Sequence, residues 1–151
     1  MRDIHFVPVP LVRVVAGTET IEAVLRAAPE AGPEAAPRWW RLAPDEVLVE
    51  AADGAGAVRE HRAAAADAHA IVEDDTGWVV GVLDEEGFEH AVAGALEWQW
   101  PAGQLTAQGL LHNVPVKIRR TAATGGSPAG AVEYHLLCPV SLVHELEERM
   151  R

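Results

Sequence analysis

The chain has 151 residues, 49% of them hydrophobic, enough for a sizeable core in one domain or in two tightly fused half-domains. Twelve basic against 23 acidic residues give a formal charge of −11, which repels phosphate backbones and anionic bilayers and argues against nucleic acid or a membrane as partner. Cys138 is the single cysteine, so no intrachain disulfide can form; in its apolar stretch it reads as a small buried hydrophobe. The opening Met-Arg-Asp-Ile-His-Phe lacks the apolar run of a signal peptide, and no stretch reaches the roughly 18 uninterrupted apolar residues of a membrane span, so the expected location is the cytoplasm.

Residues 4–15 are valine-rich and predict a strand, in which Pro8 and Pro10 remove two ladder donors and demand an edge position or a break. Thr18 is expected to cap a helix whose apolar stripe is Ile21, Val24, Leu25 and Ala28, with Pro29 as its stop. A proline- and alanine-rich loop follows to Pro37. Residues 39–42 and 47–49 then predict a hairpin turned at Pro44-Asp45. Gly54 and Gly56 break the chain ahead of an alanine-rich helix over 57–68.

A second round starts at His69. Residues 70–72 predict a short strand, turned by an acidic corner of Glu73, Asp74 and Asp75 with Thr76-Gly77. The continuous apolar run 78–83 predicts a strand covered on both faces. Asp84 caps the next helix, Glu85 and Glu86 occupy its anion-favouring first turn, and Phe88, Ala91, Val92, Ala95 and Leu96 form its stripe. Residues 104–111 predict a strand that turns at His112-Asn113. Val114, Val116 and Ile118 carry the clearest period of two in the chain. Residues 124–130 predict a hairpin loop; Val132, Tyr134 and Leu136 alternate again. Ser141 is expected to cap a last helix with Leu142, Val143, Leu146 and Met150 on its apolar side. The expected fold class is therefore α+β: two fused β-α-β-β-α-type units with antiparallel sheets, forming one domain over 1–151 with pseudo-halves of about 1–68 and 69–151.

Several segments resemble a known family. Arg41-Leu42-Ala43-Pro44-Asp45-Glu46-Val47-Leu48-Val49 resembles the "LGPDEWLL" hairpin of the gamma subunit of heterotetrameric sarcosine oxidase, an element shared with the folate-binding domain of glycine-cleavage aminomethyltransferases. The segment 70–80 is similar to that family's "DVS" strand-turn-strand, 88–96 to its "GPRA…LL" helix, 101–116 to its following hairpin, and 134–142 to its last strand and "RSF"-type helix start. The pattern is broken where the family's tryptophan is Val47, its "GPRA" turn is Asp84-Glu85-Glu86-Gly87, and its last arginine is Val140. The resemblance implies an aminomethyltransferase-like fold. It also implies a non-catalytic accessory subunit of a flavin-dependent oxidase acting on sarcosine-like amines, with FAD, FMN and NAD held by larger partner subunits. The alternative is a stand-alone enzyme or ligand-binding protein that reuses the folate-binding fold, or a self-associating protein; fold alone does not choose between them.

The residues themselves offer little chemistry. The clustered carboxylates Glu73, Asp74 and Asp75 read as a solvated acidic turn rather than an acid–base pair. The seven histidines (His5, His61, His69, His90, His112, His135, His144) show no metal-ligand spacing and read as structural. The glycine-rich 124–130 lacks the GK[ST] of a phosphate loop, no Gly-x-Gly-x-x-Gly follows a strand, and Ser141 and Cys138 have no placed His-Asp partner. No catalytic or metal residue is assigned. The tryptophans stand out: five, against two phenylalanines and one tyrosine. Trp39 and Trp40 are adjacent in a strand and must face opposite ways, while Trp98 and Trp100 share a side of an extended segment. One of Trp39 or Trp40, together with Trp98 and Trp100, is therefore the expected partner interface, because exposed tryptophans are frequent anchors.

Overall fold

The computed structural model describes residues 4–27, 38–55, 58, 67–96, 98–100, 105–123 and 130–151. It is a mixed α/β structure with antiparallel sheets, divided into two compact units. Val9–Thr76 form the smaller unit; the segment ending at Pro8 and Gly77–Arg151 form the larger one. The division therefore falls at Val9 and at Gly77, not near residue 68. The valine-rich start is broken as its prolines require: β1 (Phe6–Pro8) pairs in the larger unit's sheet, and β2 (Leu11–Val15) belongs to the smaller one. No helix among the described residues is long and apolar enough to cross a membrane.

In the smaller unit, β2 is followed by α1 (Thr18–Ala27), β3 (Trp39–Ala43), β4 (Glu46–Glu50) and β5 (Ile71–Asp75). The sheet order is β3-β4-β2-β5. β-branched residues suit a pleated, half-buried surface, and here Val12, Val14, Val47, Val49 and Val72 present one apolar face. α1 covers it with Ile21 and Val24, both fully buried, and each such burial is worth about 1.5–3 kcal/mol. Ala28 and most of the expected helix over 57–68 lie outside the described residues; within that span Val58 is helical and buried, whereas Asp67 and Ala68 are described and not helical.

Thr18 is the first residue of α1 rather than the residue before it, and the helix start is served from far along the chain. The Asp67 carboxylate accepts the Gly17 N–H at 3.3 Å, the Thr20 hydroxyl at 3.1 Å and the His69 N–H at 2.9 Å. These bonds, the His69 and Thr20 ones foremost, hold the Asp67 carboxyl below its usual range.

The larger unit contains β6 (Trp78–Asp84), α2 (Glu85–Ala91), β7 (Thr106–Leu111), β8 (Val114–Ala122), β9 (Val132–Pro139) and α3 (Val143–Arg149). With β1 at one edge, the order is β1-β6-β9-β8-β7. Asp84 caps α2 through a 2.8 Å bond from the Gly87 N–H, and Phe88 and Val92 of the expected stripe are buried. His112 and Asn113 have φ of 51° and 65°, the doubly left-handed geometry of a two-residue hairpin turn, so Leu111 pairs directly with Val114. One face of the sheet, with Val79, Leu83, Val116, Ile118, Leu136 and Cys138, packs with Phe88, Val92 and Leu146 into a single core.

Two further local expectations are corrected. Glu73, Asp74 and Asp75 are not a turn: they are extended in β5, opposite Arg13, Val12 and Leu11, and the turn falls at Thr76-Gly77, where Gly77 takes a φ of 89°. The ladder with β2 holds the carboxylates in a strand because each finds a structural use, as with Glu73 on Arg13 at 2.9 Å and Asp74 on the Ala55 N–H at 2.9 Å. Ser141 does not cap the last helix. Val140–Leu142 form a 3₁₀ turn leading into α3, and Leu142 occupies the capping position without a side-chain bond.

Candidate functional site

Four aromatic side chains of the larger unit gather at one place. Strand β9 supplies Tyr134 and helix α2 supplies Phe88, and their rings stack with centroids 3.8 Å apart and planes 6° apart. Trp100 meets both edge-on, at 6.2 Å from Phe88 and 6.1 Å from Tyr134. The two edge-on contacts have the geometry that the ring quadrupole favours, worth about 0.5–1.5 kcal/mol per pair beyond burial. Trp98 lies 6.3 Å from Trp100 and tilted to it. Phe88 and Tyr134 are buried, whereas Trp98 and Trp100 are only partly so.

Gly109 of β7 seats this ledge. A Cβ there would press on the Trp98 indole, 2.6 Å from Cε2 and 2.8 Å from Cδ1 and closer still to Nε1, so the indole lies across bare backbone. The Trp98 N–H is buried with no hydrogen-bond partner among the described residues. A buried unpaired donor carries a desolvation penalty. Here that penalty accompanies close packing of the indole face.

The adjacent tryptophans of the smaller unit separate by strand alternation. Trp40 pairs opposite Leu48 and is fully buried, which removes it from any surface. Trp39 points to the α1 side, partly buried against the valine core. Of the expected interface residues, Trp98 and Trp100 are thus brought together in one cluster, Trp39 remains partly exposed in the other unit, and Trp40 is a core residue.

A polar row lies on the face of the five-stranded sheet opposite its helices. Thr106, Arg119 and His135 are in register on β7, β8 and β9. Burial pulls the Arg119 guanidinium down to about 10. His135 is the one buried polar side chain among the described residues; its Nε2 lies 3.4 Å from Glu133 Oε2, two residues back on the same strand face. Arg119 and His135 both engage further groups. Sequence reasoning did not single out Arg119 or Thr106. The signal was available: with Val114, Val116 and Ile118 pointing inward, residue 119 must share a face with 117 and 135 once β8 lies between two strands. Asp67 was missed for a different reason, since a cap that comes from 47 residues away has no local signature.

The remaining candidates are dispersed. His5, His69, His90 and His144 are exposed, and His61 lies outside the described residues. Among the described residues no group of three or more His, Cys, Asp or Glu side chains is placed to hold a metal ion. Burial, with Glu147 second, pushes the Cys138 thiol up to about 11, far from a reactive thiolate. The glycine-rich stretch before Gly130 falls outside the described residues. Compared with protein-family models, curated proteins and solved structures, the chain matches none.

Proposed function

We propose that this chain is a small accessory subunit that supplies no catalytic group and docks on larger flavin-bearing subunits of an amine oxidase acting on sarcosine-like substrates. Its fold, in this reading, is of the folate-binding aminomethyltransferase type. FAD, FMN and NAD reside in the partner subunits, and the location is cytoplasmic. The resemblance of the 41–49 hairpin and of the later segments supports this reading, as does the antiparallel α+β architecture.

The observation that carries it is the Trp98–Trp100 ledge: two large aromatic side chains kept partly exposed, on a rigid base formed by Gly109, Phe88 and Tyr134. Preorganised aromatic anchors are what a docking surface needs, because little side-chain entropy is lost on association. The net charge of −11 favours a partner with a basic face.

The test is affinity purification of the tagged chain from its native cells. The expected result is co-purification of yellow, flavin-containing larger subunits, weakened at least tenfold by Trp98→Ala with Trp100→Ala while the isolated chain stays folded by circular dichroism. Turnover of an amine substrate by the isolated chain, or capture of the flavin subunits undiminished by the double substitution, overturns the reading.

A further inference from the structure

We draw no further inference here: the strongest candidate, the row of Thr106, Arg119 and His135 on the face of the five-stranded sheet opposite its helices, carries nothing, because Arg119 and His135 already engage other groups and nothing in the structure shows what covers that row.

Discussion

The two units hold their sheets together by different means. In the smaller unit, ion pairs join residues distant in sequence: Arg13 reaches Glu46 on β4 at 2.6 Å and Glu73 on β5 at 2.9 Å, Arg38 grips Glu50 at 2.6 Å, and Arg41 reaches Glu22 on α1. In the larger unit the described contacts of this kind are local: the Arg149–Glu145 ion pair and the His144–Glu148 contact one turn apart on α3, and the His135–Glu133 contact on one strand. Each unit has an apolar cluster under its helices, and in the larger unit stacked aromatics join the elements as well. Topology differs as well. Both units run strand, helix, hairpin and closing strand, but the opening strand β2 lies between hairpin and closing strand in the smaller sheet, whereas the closing strand β9 takes that inner place in the larger one. The same order of elements therefore does not dictate one sheet. In that inner place β9 has five successive buried residues, from Tyr134 to Cys138.

If that contrast is right, damage to the larger unit should come mainly from lost packing. Phe88→Ala removes the ring that Tyr134 stacks on and that Trp100 meets edge-on, and should cost about 3–5 kcal/mol in denaturant unfolding. A cost below about 1 kcal/mol would mean that the aromatic cluster is not what binds α2 to the sheet.

Gly109→Ala probes the same unit by overfilling it. The new methyl group collides with the Trp98 indole, so a loss of about 1–3 kcal/mol is expected. Trp98→Ala in the same chain should recover part of that loss, giving a double-mutant coupling of opposite sign to the single effects. Additive costs would place the indole somewhere else.

The smaller unit should respond to charge. Arg13→Met strands Glu46 and Glu73, but Glu73 is more than half exposed, so solvent screening limits the loss to about 0.2–1 kcal/mol. Site-resolved amide exchange should show faster opening confined to residues 11–75, and added salt should shrink the difference from the parent chain. Equal acceleration in both units would dissolve the comparison drawn above.

The smallest effect concerns pH. The Asp67 carboxyl titrates lower in the folded chain than in the unfolded one, because the His69 N–H and the Thr20 hydroxyl bond its charged form. Its contribution is therefore fully present above the ordinary aspartate value and is lost as pH falls through the folded value. Asp67→Asn should lower the unfolding midpoint at pH 6, with the gap to the parent chain closing as pH drops below about 4. A gap that is constant across that range would show that the charge on Asp67 contributes nothing.

Local order was readable in the amino acids because it depends on near neighbours. The alternation of Val114, Val116 and Ile118, the stripe of Ile21 and Val24, the Asp84 cap and the His112-Asn113 turn each follow from spacing and side-chain shape within a few residues, and each is where the sequence puts it. Pro8 and Pro10 announced a break in the same way, by withholding donors. Tertiary structure alone decided which pieces pair. It sent β1 and β2 to different sheets, drew the acidic residues 73–75 into a strand against β2, buried Trp40 while leaving Trp39 partly exposed, and set Thr106, Arg119 and His135 side by side. Strand pairing joins residues tens of positions apart, and its choice turns on the total apolar area covered rather than on any local signal, so these outcomes belong to the folded chain as a whole.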